Sequence, residues 1–540
     1  MVPLLFFRVK TSGPKSWLYT GASGQRSSPS PTTEHMQGQP CFKSQQETSA
    51  EAMQVAVDRK QLALYGDPKR VIGRFFWAGQ NRANELMGRV LEMSDEDVHD
   101  QLMKTLRGFA GRHRNINEIF RRHLNAALDR VPARREAVQA SSDERQALIG
   151  AYFTHEYSIE SAAFFNPSVV PARDQTDLQE GELRLVMSMR AVGEGHISSV
   201  VFRNIILGKN NTPRAETVSQ FVGLAKEINY CTYDKEDFAE RTRRDSQVGE
   251  EMLQKLVGDL HENFNHRELY ERYWQLWNDF AEDSPERDEL SSLMTVADAY
   301  YEIKFSLDTD LSERCLYPMI DFEMRGMEDA RFTEFTNDDG STCYYGTYTA
   351  YNGKQIRPML IETEDFYDFT VRPIYGEAAV NKNHAIFPRK INGKYYALCR
   401  IDGINNYIIS SDKLQVWDDA ELLTKPKYDW QLYQIGNCGS PIETEYGWLV
   451  ITHGVGPMRR YCLGAMLLDL NDPTKVIGRL TEPLLSPQED EREGYVPNVV
   501  YSCGSILHNG EIFTPYGISD EAARFATVPL KTLVDSMEKL

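Results

Sequence analysis

A strand, a tight turn built on glycine and a second, aromatic strand recur along this chain from about residue 166 onward. The unit runs from Ala330 to Tyr345 around Gly340, from Ile386 to Leu398 around Gly393, from Pro441 to Ile451 around Gly447 and from Gly504 to Phe513 around Gly510. These glycines stand 53, 54 and 63 residues apart, close to the roughly 40–50-residue period of propeller blades. An earlier hairpin, Ser168 to Met187 around Gly181, makes five, and the wide gap from Gly181 to Gly340 holds a helical stretch at about 211–293. The pattern predicts an all-β fold: a five-bladed β-propeller over 156–540, with that stretch inserted after the first blade.

Ahead of the repeats, residues 56–155 read as a helical N-terminal region. Val98, Leu102, Leu106 and Phe109 recur at helical spacing after Ser94-Asp95-Glu96-Asp97, which resembles a capping box, and Ile119 to Val131 repeats the period. Such a region serves packing or self-association, which makes a homo-oligomer one expectation, or it covers one edge of an active site. Residues 1–55, rich in Ser, Thr, Gln, Gly and Pro, read as a disordered leader, with Met36 and Met53 as alternative starts. The apolar run Val2 to Phe7 is too short for a secretory signal.

Charge and cysteine usage narrow the function classes. With 79 acidic against 60 basic residues the net charge is −19, which repels a phosphate backbone and argues against nucleic acid. No run approaches the roughly 18 apolar residues that span a bilayer. The eight cysteines stand singly, without zinc-ligand spacing, and read as buried thiols of a reduced, cytoplasmic protein with no metal site.

Antiparallel blade geometry places the residues just before each first strand and just after each second strand on one rim. Before the first strands stand Asn166, Glu328-Asp329, Lys382-Asn383-His384, Asn437 and Asn498; after the second strands stand Arg190, Tyr348, Arg400, His453 and Tyr516. A carboxylic acid, guanidinium groups and an imidazole on one rim suit general-acid chemistry beside an anion pocket. Trp417, Trp430 and Trp448 are candidates for stacking on sugar faces. Structural readings compete: an ion pair of Asp329 with Arg331, a core histidine at 453, and a pair of Arg400 with Asp402 or Asp412.

Several motifs are similar to glycoside hydrolase family 130. They are Gly326-Met327-Glu328-Asp329-Ala330-Arg331-Phe332, Phe387-Pro388-Arg389-Lys390-Ile391-Asn392-Gly393-Lys394-Tyr395, Gly439-Ser440-Pro441-Ile442-Glu443, Thr452-His453-Gly454-Val455, the run Gly464 to Asp469, Val496-Pro497-Asn498-Val499-Val500 and Tyr516-Gly517-Ile518-Ser519-Asp520. The resemblance covers roughly 160–535 and implies a five-bladed propeller that cleaves β-mannosides with inversion. Most members use inorganic phosphate as co-substrate, without a cofactor, and release mannose 1-phosphate; some are hydrolases. It also implies Asp329 as general acid, delivering its proton through the sugar 3-hydroxyl. Asn166, Arg190, Glu328, Arg331, Tyr348, Tyr516 and Asp520 would hold the sugar, and Asn381, Lys382, Arg400, His453 and Tyr461 the phosphate.

The chain departs from the family pattern in carrying Gln434 where phosphorylases often have Lys, Asn383 in place of Asp, and Ala330 ahead of Arg331 in place of Pro. Losing a cation weakens phosphate binding, unless Arg400, His453, Lys382 or Arg389 compensates. An inverting hydrolase is therefore the alternative, with Glu194, Asp402 or Glu443 activating water; a noncatalytic carbohydrate-binding propeller is a third reading.

Overall fold

The computed structural model describes residues 55–225, 227–230, 232–245 and 248–540. The leader expected over 1–55 lies outside them except for Val55, which packs on the core, and Cys41 and Cys231 lie outside them too. From Ala163 onward the chain forms five antiparallel meanders in sequence order. The first comprises Ala163–Pro171, Leu183–Val192 and Ser198–Leu207; the second Gly326–Thr336, Thr342–Tyr351, Ile356–Thr363 and Asp368–Pro373. The third comprises Lys382–Ile386, Tyr395–Arg400, Asn406–Ser411 and Asp419–Thr424; the fourth Gln434–Asn437, Gly447–Val455, Tyr461–Leu468 and Val476–Arg479. The fifth is Val500–Tyr501, Glu511–Ile518 and Ala522–Pro529.

Each repeat hairpin turns on the glycine that marks it. Gly181, Gly340, Gly393, Gly447 and Gly510 all have positive φ, from 76° to 138°, a region that L side chains enter only with strain. Alternation along the strands then buries one face of each meander against the next. Val186 and Phe202 pack with Phe332 and Tyr344 between the first two, Phe335 and Tyr345 with Ala397 and Ile409 between the second and third, and Phe387 and Leu398 with Trp448 and Val450 between the third and fourth. Leu449 and Leu463 meet Ala522 and Ala526, and Phe513 and Phe525 return to Leu185 and Met187 of the first.

Hydrogen bonds follow the same circuit. Phe332 N donates to Ser168 Oγ (3.1 Å), Thr347 Oγ1 to the His384 carbonyl, Asn383 Nδ2 to the Asn437 carbonyl (2.8 Å), Tyr461 N to the Asn498 carbonyl (3.1 Å) and Cys503 N to the Pro167 carbonyl (2.8 Å). The last joins the fifth meander to the first.

Helices Gln80–Glu92, Asp95–Phe109, Ile116–Arg130 and Asp143–Tyr152 share a core that includes Met87, Leu124 and Leu148. Ser94 caps the second as expected, its Oγ accepting from Asp97 N at 3.1 Å. Gly150 lies so close to the Phe120 carbonyl that a Cβ would stand 2.2 Å from it. The helical reading of 56–155 needs correction at its two ends. Asp58–Arg59 and Leu64–Tyr65 are strands on Ala522–Pro529, and Val71–Phe75 pairs with Thr154–Ser158. Two-residue strands carry no period of their own; only a distant partner specifies them. A second helical group, Lys235–Asp245, Glu250–Val257, His266–Asp279 and Pro285–Asp298, lies between the first and second meanders in sequence. Trp417 and Trp448 are buried core residues and Trp430 packs under Gly454 and Gly464, so they form core, not sugar platforms.

The N-terminal segment is anchored by charge. Glu160, fully buried, accepts from Arg70 Nε (2.9 Å) and Arg203 Nη2 (2.6 Å) and from Asp67 N. Removing the shared carboxylate leaves two buried guanidinium groups uncompensated. Glu160→Gln is expected to destabilise the protein by about 3–5 kcal/mol, whereas Glu443→Gln, breaking an exposed pair with Arg389, changes stability by no more than about 1 kcal/mol. Thermal melts of the two variants beside the wild type check this.

Candidate active site

In each of the first three meanders the pairing of the first strand is interrupted. Pairing with the second strand breaks between Phe165 and Ser168, between Glu328 and Arg331, and between Lys382 and Ala385. Inside these bulges Asn166, Asp329 and Asn383 have φ of 52°, 55° and 73°. Asn and Asp tolerate this left-handed conformation better than other residues with a Cβ. A bulge re-aims a side chain out of the alternation, and here it turns Asn166 and Asp329 toward each other and Asn383 toward the Asn437 carbonyl and the Tyr501 hydroxyl.

The donors and acceptors they meet come from neighbouring strands. Asn166 Nδ2 donates to Asp329 Oδ1 at 2.6 Å, and Arg190 Nη1 approaches the same oxygen at 3.2 Å. Arg190 Nη2 and Lys382 Nζ donate to the two carboxylate oxygens of Glu328, each at 2.7 Å. Burial pushes the Asp329 carboxyl up, but Arg190, Arg331 and Lys382 outweigh it and hold it down at about 2. Asp520 (φ 55°) interacts with the same Arg190 and with Asp329. Burial, reinforced by the Asp329 charge and opposed by Arg190, pushes Asp520 up to about 7. Two carboxyls around one guanidinium thus carry opposite tendencies.

A second group adjoins the first, since Lys382 pairs across the strands with Arg400. Arg400 Nη1 lies 3.3 Å from His453 Nε2. Burial, then the charges of Arg400 and Arg331, drive the imidazole far below its ordinary range, so His453 is neutral and accepts from Arg400. Tyr461 stacks on the imidazole at 6.2 Å between centroids, and Tyr501 tilts against it at 4.8 Å. Among the described residues no carboxylate pairs with Arg400, and its Nε is buried without a partner.

Arg331 underlies both groups. Its Nε donates to the Cys438 carbonyl (2.6 Å), Nη1 to the Asp329 carbonyl (2.7 Å) and Nη2 to the Tyr501 hydroxyl (2.8 Å), which also accepts from Asn383 Nδ2 at 3.1 Å.

The structure thus brings Asn166, Arg190, Glu328, Asp329, Lys382 and Asp520 together, with Arg400, His453 and Tyr461 alongside. Four expected contacts are corrected. Arg331 has every nitrogen engaged by protein groups and is buried, which makes it floor, not ligand contact. Tyr348 is a core residue whose hydroxyl bonds the buried Glu323, and Tyr516 one whose hydroxyl bonds Glu491 at 2.7 Å; alternation turns both away from the cluster. His453 is not a cation but the acceptor that orients one. Asn381 (φ 63°) lies beside this group, its Nδ2 3.5 Å from the Ile401 carbonyl. Of the carboxylates considered for activating water, Glu443 is paired with Arg389. Asp402 accepts from Ile404 N, Asn405 N and Tyr407 OH within its own turn, and these bonds hold it down at about 2 against burial. Tyr501 was not expected. Its signal is the recurrence of Cys438-Gly439-Ser440 as Cys503-Gly504-Ser505, which aligns Tyr501 with Gly436 at the end of an inner strand.

The raised Asp520 carboxyl has a stability consequence. Its folded-state value of about 7 lies above the ordinary carboxylate value, so the folded protein binds the extra proton, and stability falls as pH rises from about 4 through 7. Asp520→Asn, which keeps the neutral shape, is expected to raise the thermal midpoint over wild type at pH 8, with the gain shrinking toward pH 5. Melts of the ligand-free proteins across that range measure it.

Comparison with known proteins follows the same residues. Residues 279–539 match the family model of glycoside hydrolase family 130, described as beta-1,4-mannooligosaccharide phosphorylase. The 1,2-beta-oligomannan phosphorylase of Thermoanaerobacter sp. (strain X514) is 37% identical over 216 residues, 39% of this chain and 71% of that protein. The beta-1,2-mannobiose phosphorylase of Listeria innocua is 35% identical over 231 residues, 41% of this chain and 63% of that protein. The solved structure of a Listeria innocua beta-1,2-mannobiose phosphorylase in complex with beta-1,2-mannobiose aligns with a TM-score of 0.42 at 25% identity, over 70% of this chain and 92% of that one. The match to the oligomannan phosphorylase extends over more than two thirds of that protein, and the matched segment of the family model carries Asp329, Lys382, Arg400, His453 and Asp520: the chain belongs to glycoside hydrolase family 130.

Proposed function

We propose that this protein is an inverting β-mannoside phosphorylase that transfers a terminal mannosyl group to inorganic phosphate. Arg400 carries the reading: a guanidinium with no carboxylate partner among the described residues, oriented by a neutral imidazole, beside a cluster whose other cations are already paired. An unneutralised cation at the edge of a buried site favours an incoming oxyanion. A hydrolase needs a carboxylate to activate water; Asp402 and Glu443 are engaged elsewhere, which leaves Glu194, exposed in the turn Glu194–His196, as the candidate for that role. The relatives named for β-1,2-mannosides support that linkage for the substrate.

In this reading the five meanders are the blades of a propeller over 156–540, with the helical stretch at about 211–293 as an insertion and 56–155 as an N-terminal region bordering the site. Tyr157, in the strand that pairs with Val71–Phe75 of that region, donates to the Glu194 carbonyl. Asn166, Arg190 and Asp520 hold the mannose against Asp329. Phosphate, held by Arg400 with Lys382, Asn381 and Tyr461 near, attacks the anomeric carbon from the face opposite the leaving oxygen. As the new C–O bond forms and the glycosidic bond breaks, the leaving oxygen takes a proton that originates on Asp329, and α-mannose 1-phosphate departs. Asp329 is ionised in the free protein; a bound phosphate dianion offsets the field of Arg190, Arg331 and Lys382 and lets it take up that proton. No cofactor enters the reaction. Six buried, unpaired thiols support a reducing, cytoplasmic setting.

Incubation with mannose 1-phosphate and a panel of sugar acceptors tests the reading by phosphate release and new glycoside. Asp329→Asn is expected to lower the rate at least about 100-fold, and Arg400→Ala to raise KM for phosphate about tenfold or more. Cleavage of β-mannosides by water, with no phosphate dependence, would overturn it in favour of the hydrolase.

A further inference from the structure

Asn383 stands between the two groups of the site. Its Nδ2 donates to the Asn437 carbonyl at 2.8 Å and to the Tyr501 hydroxyl at 3.1 Å, and Asn437 Nδ2 returns a bond to the Asn383 carbonyl at 2.9 Å. The residue is buried. The Tyr501 oxygen it bonds also accepts from Arg331 Nη2 at 2.8 Å, so the amide and the guanidinium are neighbours across a single hydroxyl. Arg331 gives its other bonds to two backbone carbonyls. Among the described residues none of its bonded partners is a carboxylate.

Backbone conformation does not select asparagine at this position, because a φ of 73° suits Asn and Asp alike. Hydrogen-bond chemistry does. Nδ2 donates in both of its contacts, and an ionised carboxylate has no proton to give. An Asp at 383 would meet the Asn437 carbonyl oxygen to oxygen and would set its charge against Arg331 across the Tyr501 hydroxyl. The amide keeps the same shape and leaves the cation whole.

The neighbouring strand supplies no second cation. In Gln434–Asn437 the side chains at 434 and 436 share one face, and a Cβ on Gly436 would lie 2.6 Å from His453 Cε1 and 3.5 Å from Asn383 Nδ2. Gln434, buried and uncharged, stands one step along that face. With His453 neutral and Lys382 paired to Glu328, the positive field on this side comes from Arg400 and from Arg331 beneath it.

Resting on the phosphorylase reading, we propose that Asn383 is a positioning residue which, through the Tyr501 hydroxyl, keeps Arg331 an unneutralised cation under the phosphate side of the site and thereby sets the affinity for the attacking phosphate.

Three variants of the full chain separate charge from structure: Asn383→Asp, Asn383→Gly and the double variant Asn383→Asp with Gln434→Lys. Glycine removes the amide, suits the positive φ and adds no charge. Calorimetric titration with inorganic phosphate gives Kd, and phosphorolysis of β-1,2-mannobiose gives kcat and KM for phosphate. Asn383→Asp is expected to raise both Kd and KM about tenfold or more, with a smaller fall in kcat, and Asn383→Gly to shift them less than about threefold. Adding Gln434→Lys to Asn383→Asp is expected to recover most of the loss. Gln434→Glu, which offers a carboxylate to the same cations without touching the bonds of the amide, is expected to weaken phosphate comparably and carries the test if Asn383→Asp does not fold. Unchanged phosphate affinity in the variant that carries the test, an equal loss in Asn383→Gly, or a loss that Gln434→Lys does not recover overturns the inference while wild type still forms mannose 1-phosphate. A wild type that neither binds phosphate nor forms mannose 1-phosphate removes the phosphorylase reading with it.

Discussion

One buried guanidinium organises the middle of this molecule. Arg331 reaches from the second meander to the Cys438 carbonyl of the fourth and the Tyr501 hydroxyl of the fifth, and Tyr501 in turn accepts from Asn383 of the third. Its third nitrogen bonds the Asp329 carbonyl, in the bulge that carries the candidate acid. None of these partners is a carboxylate side chain, so the charge stays unneutralised beneath the site, and it acts on both sides: it helps hold Asp329 ionised and His453 neutral. A buried cation without a counter-ion is costly in isolation; here it is hydrogen-bonded throughout and close to the Asp329 charge.

Above that floor the site divides electrostatically. Around Glu328 and Asp329 the cations are paired: Arg190 with Glu328 and Asp329, Lys382 with Glu328. A neutral hydroxyl-rich ligand can exchange hydrogen bonds with such a network without meeting a large net charge. On the other side Arg400 meets a neutral imidazole and, among the described residues, no carboxylate pairs with it. That asymmetry suits two substrates of different charge, and it survives the substitution of Gln434 for the expected lysine because Arg400 is not neutralised by Asp402, whose oxygens are taken by its own turn.

Residues whose chemistry depends on local register were readable in advance: the repeat glycines marked the hairpins, and counting outward from them reached Asn166, Arg190, Asp329, Arg400 and His453. Counting failed where alternation decides orientation. Tyr348 and Tyr516 occupy the expected strand ends yet face the core, where buried Glu323 and Glu491 satisfy their hydroxyls. It failed again for the strands at 58–75, whose pairing partners at 154–158 and 522–527 lie beyond any local signal.

By itself the sequence determined the hairpins, their period and which polar residues stand at the strand ends, because glycine turns and alternating hydrophobicity act over a few residues. Only the tertiary structure decided which of those residues face the shared cluster and which are scaffold. That choice rests on the bulges at Asn166, Asp329 and Asn383, on the field that Arg331, Arg190 and Lys382 sum at Asp329, and on the absence, among the described residues, of a carboxylate paired with Arg400. Each arises from groups tens to hundreds of residues apart, so no local pattern encodes it.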